Sequence, residues 1–103
     1  MSPAHVHTVH GVPIRLSDER WRHIVEHHDD LAGHYHDVLE TVAAPDAVYE
    51  GSAGELLALR RYRERYLVVP YRELSKDDGF VITAFFTTRI RQIERRPLAW
   101  RRA

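Results

Sequence analysis

The longest alternating stretch of the chain, from Gly79 to Arg89, predicts a central β-strand. It follows a turn signal at residues 75–79 and is rich in β-branched and aromatic side chains, which suit a pleated surface. Alternate positions form one apolar face and one face with two hydroxyls. The apolar face is Phe80, Ile82, Ala84 and Phe86, and the other is Val81, Thr83, Phe85 and Thr87. We expect the apolar face in the core and the threonines at a site, although threonine is also an ordinary strand former.

Two amphipathic helices are predicted before the sheet. Ser17 is a good N-cap and apolar residues follow at helical spacing, so the first helix is predicted from Asp18 to about Asp29. Gly33 interrupts the pattern, and a second helix ends before Pro45. Residues 12–16 predict a short edge strand, because proline is tolerated at sheet edges.

After Pro45 the apolar period changes from helical to extended. Strands are predicted at residues 47–50, 55–62 and 66–74, before the central strand, and their short connections imply an antiparallel meander. The predicted fold class is α+β, with two N-terminal helices packed on a four-stranded antiparallel sheet and room for an extra N-terminal edge strand. Residues 1–103 form one domain in this interpretation. Residues 1–11 and 97–103 are expected to be flexible, with a final short strand as the alternative for the C-terminal segment.

Charge is divided unevenly although the formal net charge is zero. Residues 1–58 hold three arginines and ten carboxylates, a net charge of −7, and residues 59–103 hold twelve cations and five carboxylates, a net charge of +7. All eight histidines lie at or before His36. A basic sheet that receives a polyanion is one interpretation, and a dipolar, solvated surface is the other. Cysteine is absent, which excludes disulfides and thiolate nucleophiles. Since no apolar run approaches a membrane span, we expect a cytoplasmic protein without membrane partners.

His23 and His27 are neighbours on the first predicted helix, one turn apart. With Glu26 they match the H-x-x-E-H pattern, in which two histidines bind zinc and a glutamate activates water. A small zinc hydrolase that uses these three residues is therefore one hypothesis. A polar flank of a surface helix is the simpler explanation.

A second constellation lies on the predicted sheet. Arg60 and Arg61 should point to opposite faces, so only one of them can join a given site. Its companions would be Tyr62 or Tyr66, with Thr83, Thr87 and Arg89 on the central strand and at its exit. RNA cleavage needs no metal when the ribose 2′-hydroxyl is the nucleophile, because histidine can move the protons and arginine can stabilise the phosphate.

Several motifs in order resemble the phage-type members of the barnase–EndoU–colicin–RelE-like nuclease superfamily. They are Trp21-x-His23-Ile24-x3-His27, Pro45-Asp46, Arg60-Arg61-Tyr62, Tyr66-Leu67-Val68-Val69 and the run from Gly79 to Ala84. The resemblance implies a RelE/barnase-like core of two helices and a four-stranded antiparallel sheet. It also implies a metal-independent ribonuclease that acts as a toxin or phage appendage. Carried over residue by residue, the functional positions would be His23 or His27, Arg61 or Arg60, Thr83 and Thr87.

We therefore predict a metal-independent endoribonuclease, with no cofactor and no metal site. His23, His27, Arg61 and Thr83 are predicted to be catalytic, and Arg60, Tyr62, Tyr66, Thr87 and Arg89 to bind substrate. RNA is the expected substrate, and a cognate antitoxin or immunity protein is a further expected partner. The alternatives are a non-catalytic RNA- or protein-binding module and the zinc hydrolase.

Overall fold

The computed structural model of the protein describes residues 4–103, with side chains from residue 6 onward. Within that part of the chain there are three helices, α1 (Asp18–His27), α2 (Tyr35–Ala43) and the short α3 (Arg91–Glu94), and one 3₁₀ turn (Asp29–Leu31). The strands are β1 (Ala4–His7), β2 (Pro13–Leu16), β3 (Ala47–Glu50), β4 (Leu56–Tyr62), β5 (Arg65–Ser75), β6 (Asp78–Val81), β7 (Phe85–Thr87) and β8 (Leu98–Arg101).

The predicted architecture of two helices on a four-stranded sheet is wrong. The chain is a mixed α+β structure in which eight strands form one curled sheet, in the order β1-β2-β6-β5-β4-β3-β8, with β7 also paired to β5. The pattern was misread because both ends of the described chain join the sheet. Strand β2, predicted at an edge, lies between β1 and β6, and its pairing with β6 is parallel.

The segments expected to be flexible contribute strands instead. Strand β1 pairs antiparallel with β2, and β8 pairs antiparallel with β3. Residues 1–3 of the N-terminal segment lie outside the described residues. The alternative of a final C-terminal strand is confirmed, and the side chain of Trp100 packs against the core on the helix side of the sheet.

A β-bulge opposite Pro70 divides the predicted central strand into β6 and β7. The carbonyl oxygen of Pro70 accepts the N–H groups of both Ile82 (2.9 Å) and Thr83 (3.5 Å). Because proline has no N–H to return to the ladder, the pairing with β5 shifts by one residue there. Val81 is therefore buried, whereas Phe80, which was predicted to face the core, is half-buried. Ala84 is buried as predicted. The two faces of the predicted strand exchange at the bulge.

Side chains pack on both faces of the sheet. Helices α1 and α2 cover one face, which we call the helix face, through Ile24, Val38, Leu39 and Val42. Strand residues in that core include Ile14, Val48, Ala58, Leu67, Val69, Tyr71 and Val81. The opposite face, called the α3 face, has a smaller core of Ala47, Tyr49, Leu59 and Val68, with Ile90 and Ile93 around α3 packed against it.

The sequence interpretation of both long helices is confirmed. The hydroxyl oxygen of Ser17 accepts the Arg20 N–H at 3.1 Å and caps α1, whose first turn carries Asp18 and Glu19. Helix α2 ends two residues before Pro45, as the proline requires. Among the described residues, no helix has the length and apolar character needed to cross a membrane.

Candidate active site

The residues predicted to bind substrate are divided between the two faces of the sheet. A guanidinium nitrogen of Arg60 lies 3.1 Å from a Glu40 carboxylate oxygen on α2, so Arg60 is on the helix face. Arg61 follows it on the α3 face, and its main-chain N–H donates to the Asp46 carboxylate at 2.8 Å. The prediction that these arginines face opposite sides is confirmed. Tyr62 joins Arg60 on the helix face, whereas Tyr66 belongs to the core of the α3 face.

The three predicted residues after the bulge take different positions. Thr83 is half-buried at the bulge itself, with its N–H directed to Pro70. Thr87 pairs with Tyr66 across β5 and β7, and its hydroxyl oxygen accepts the Arg89 N–H at 2.9 Å. That hydrogen bond turns the chain after β7. Thr87 and Arg89 therefore lie together at one corner of the sheet. Thr83 lies apart from them, at the bulge beside Pro70.

His23 and His27 form an exposed pair on the outside of α1. Their ring centroids are 4.5 Å apart, and Nδ1 of His27 lies 2.9 Å from the His23 carbonyl oxygen. The position of His23 beside the apolar residues Trp21 and Ile24 would bury it where α1 meets the sheet, but both histidine side chains are exposed. The hollow beside His23 is lined by residues of α1 and its cap, between Ser17 and Glu26. Within residues 4–103, no three histidine, aspartate or glutamate side chains are grouped to hold a metal ion.

His34, which the sequence analysis did not single out, lies at the centre of a different cluster. It is the N-cap residue of α2, and its side chain is 21% exposed. Nδ1 of His34 lies 2.9 Å from Oδ2 of Asp37, one helical turn later. Its ring also meets Tyr62 and Phe86 edge-to-face, with centroid distances of 5.5 and 5.1 Å.

Arg65 completes this cluster. Its guanidinium carbon lies 3.7 Å from the centroid of the Phe86 ring, a cation–π contact. A guanidinium nitrogen of Arg65 is also 3.9 Å from Oδ2 of Asp30 in the 3₁₀ turn. The distance is at the limit of an ion pair, and both side chains are exposed, so this contact is weak. Arg65 is therefore held mainly by the aromatic ring and can reach an incoming anion.

Local backbone geometry brings these side chains together. The hairpin between β4 and β5 has only two loop residues, Arg63 and Glu64, so Tyr62 and Arg65 are paired neighbours. Arg63 has a φ of +62°, a left-handed conformation that is unfavourable for a residue with a side chain. Gly33, with a φ of +85°, turns the chain into α2 and places His34 above the end of β4.

Two open hollows adjoin the cluster. The first, of about 620 Å³, is lined by Tyr62, Arg63, Glu64, Arg65 and Thr88. The second, of about 370 Å³, is lined by Asp30, Arg65, Phe86, Thr87, Thr88 and Arg89. Arg65 and Thr88 line both, so the two hollows are neighbours that share these residues. Of the predicted site residues, this region gathers Tyr62, Thr87 and Arg89.

The His34–Asp37 contact has a definite chemical consequence. A carboxylate accepts from N–H, so Asp37 holds the proton of His34 on Nδ1 and leaves Nε2 as the basic nitrogen. A sequence signal for this pair existed. Histidine and aspartate stand three residues apart immediately after Gly33, where a helix was predicted to begin.

Compared with protein-family models, with curated proteins and with solved structures, the chain matched none.

Proposed function

We propose that the protein is a metal-independent endoribonuclease whose active site is the His34 cluster. The observation that carries this proposal is the contact of His34 with Asp37 beside the exposed guanidinium of Arg65. A neutral imidazole with one free nitrogen is suited to proton transfer near neutral pH, and an arginine next to it is suited to a phosphate. The +7 net charge of residues 59–103, which include Arg63, Arg65 and Arg89, supports a polyanionic substrate.

In the proposed reaction the substrate supplies the nucleophile. Nε2 of His34 takes the proton of a ribose 2′-hydroxyl, and the 2′-oxygen forms a bond to the adjacent phosphorus. The bond from phosphorus to the 5′-oxygen breaks, and that oxygen takes a proton from water. The proton on His34 then neutralises the hydroxide that remains, which restores the neutral imidazole. The products are a 2′,3′-cyclic phosphate and a 5′-hydroxyl. Arg65 stabilises the negative charge that accumulates on phosphorus, with Arg89 available at the second hollow.

The His34 cluster supports this chemistry better than the His23–His27 pair does. The polar contact of His27 is with a backbone carbonyl, which orients the ring but carries no full negative charge to stabilise an imidazolium. The hollow at His23 contains Arg20 and Arg22, but it is confined to the exposed surface of one helix. At His34, by contrast, a carboxylate, two aromatic rings and an arginine converge from α2, β4, β5 and β7.

The decisive experiment compares His34→Asn with His36→Asn in RNA cleavage. Both histidines lie at the start of α2, but His36 is exposed and outside the cluster. With excess EDTA present, the parent and His36→Asn should cleave RNA, whereas His34→Asn should lose roughly 10²- to 10⁴-fold in rate. RNA with 2′-deoxyribose at the scissile position should resist the parent.

Four outcomes would contradict the proposal. Cleavage by His34→Asn at the parental rate would remove His34 from the mechanism, and loss in His23→Asn or His27→Asn instead would move the site to α1. Abolition by EDTA with rescue by zinc would favour the zinc hydrolase. Salt-sensitive RNA binding by a parent that never cleaves would identify a binding module.

A further inference from the structure

We infer that the site binds single-stranded RNA across two adjoining nucleotides, with the scissile phosphate at Arg65 and Thr88. This inference rests on the proposed ribonuclease function and adds the form of the substrate and the position of its scissile phosphate. The carrying observation is that both hollows share these two residues and no others. Cleavage by a 2′-hydroxyl needs one nucleoside on each side of a phosphate, and two neighbouring hollows that share a cation provide that arrangement.

The junction has the chemistry of a phosphate site. The side chain of Arg65 is 40% exposed, and its ion pair with Asp30 is long, at 3.9 Å. Its contact with the Phe86 ring leaves the planar edge of the guanidinium free for paired hydrogen bonds to phosphate oxygens. Thr88 is exposed and offers a hydroxyl on the same side. Binding of a phosphate would displace Asp30, whose carboxylate would be repelled by it.

His34 contacts one aromatic residue of each hollow. Its ring meets Tyr62, which lines the first hollow but not the second, and Phe86, which lines the second but not the first. The 2′-hydroxyl next to the scissile phosphate would therefore meet His34 between the two hollows, with one nucleoside on each side.

Tyr62 makes an unpaired base the expected occupant. Tyr62 is half-buried and lines the first hollow. Aromatic side chains bind RNA by stacking on bases that are splayed out of a strand. Paired bases in an A-form duplex are stacked on one another and lie in grooves that a single tyrosine ring does not enter. Duplex RNA would therefore reach the arginines but not the aromatic surface.

The test measures binding of a short 2′-O-methyl RNA, which has no free 2′-hydroxyl and is not cleaved. The single strand should bind the parent at least roughly tenfold more tightly than the same sequence in a duplex, and Tyr62→Ala should reduce single-strand binding roughly 10- to 100-fold. Tyr62→Phe should retain it. Phe80→Ala is the matched control, because Phe80 is a half-buried aromatic on β6, outside both hollows and both cores.

A second variant tests the junction without touching a packed side chain. Thr88→Glu places a carboxylate at an exposed position where the phosphate would lie, and it should weaken binding at least roughly tenfold. Ser52→Glu, in the exposed loop before β4, should change binding little. Equal binding of single strand and duplex, or parental binding by both Tyr62→Ala and Thr88→Glu, would overturn the inference. Because the probe is not cleaved, these outcomes are separate from a failure of the parent to cleave RNA, which would reject the proposed function.

Discussion

Nδ1 of His34 lies 2.9 Å from Oδ2 of Asp37, and the two residues are one turn apart at the start of α2. The pair is local, so the helix itself sets its geometry. The contacts of the His34 ring with Tyr62 and Phe86 are not local, because these two residues lie on β4 and β7, on either side of β5. Helix α2 thus forms the His34–Asp37 dyad, and the fold places this dyad against Tyr62 and Phe86 of the sheet.

The first prediction concerns this dyad. Asp37→Asn replaces the acceptor with an amide whose NH₂ can donate to Nδ1, which favours the tautomer with its proton on Nε2. RNA cleavage should fall at least roughly tenfold, with the fold retained, because the base would have the wrong nitrogen free. Glu40→Gln on the same helix is the control, since the Glu40 carboxylate forms an exposed ion pair with Arg60, which is expected to stabilise the protein little. Equal rates for the parent and Asp37→Asn would mean that Asp37 does not orient His34.

The second prediction separates stability from activity at Arg63. Its φ of +62° costs a residue with a side chain about 1–2 kcal/mol, and glycine avoids this cost but loses about 0.5–1 kcal/mol of chain entropy. Arg63→Gly should therefore raise the melting temperature by a few degrees. It should also weaken RNA binding, because Arg63 lines the first hollow. Arg61→Gly, within regular β4, should instead lower the melting temperature. A lower melting temperature for Arg63→Gly would contradict the strained backbone.

Local signals were sufficient for the long elements of this fold. Ser17 and Pro45 mark a helix start and a helix end, and strand β3 coincides with its predicted range. The bulge was missed because its cause is Pro70 on the neighbouring strand, and alternation along residues 79–89 does not report what lies beside them. The N-terminal strand was missed because residues 1–10 carry three histidines and no clear alternation of apolar positions.

The candidate site was predictable only in part, for a related reason. Tyr62, Thr87 and Arg89 were identified by residue type, and they do border the two hollows. The H-x-x-E-H spacing indicates a site on α1, whereas the surroundings that make His34 a candidate are its contacts with β4 and β7. Arg65 falls between the predicted strands at residues 55–62 and 66–74, but it is the first residue of β5 and contacts Phe86. Partners that are distant in sequence decide which polar residues converge.

The third prediction tests the parallel contact between β2 and β6, which the sequence did not reveal. A Cβ atom at Gly79 would lie 2.5 Å from the Arg72 carbonyl oxygen and from Cδ1 of Ile14. Backbone cannot move aside cheaply, so Gly79→Ala should destabilise the protein by about 1–3 kcal/mol in urea denaturation. Gly51→Ala should cost less, because there the three nearest atoms to the added Cβ belong to the flexible Glu55 side chain. Parental stability of Gly79→Ala would show that β2 is not packed on β6 in this way.

The fourth prediction concerns Tyr71, whose hydroxyl oxygen is buried without a hydrogen-bond partner among the described residues. An unsatisfied buried hydroxyl costs about 1–3 kcal/mol, so Tyr71→Phe should stabilise the protein by about 1 kcal/mol at neutral pH. Burial, helped by the nearby Glu73 carboxylate, also raises the pKa of Tyr71 far above its usual value. Above about pH 10 the unfolded chain can lose this proton while the folded chain retains it. The free energy of unfolding of the parent should therefore fall as the pH rises from about 10 toward the folded pKa.

Tyr71→Phe should escape that alkaline loss, so its stability advantage over the parent should be larger at about pH 10.5 than at about pH 7. Urea denaturation at both values measures the difference, with Tyr66→Phe as the control at a half-exposed tyrosine on the same strand. If the Tyr71 hydroxyl instead donated a hydrogen bond in the folded protein, its replacement by phenylalanine would lower the stability at neutral pH. A Tyr71→Phe variant less stable than the parent at about pH 7 would therefore mean that the hydroxyl is hydrogen-bonded in solution.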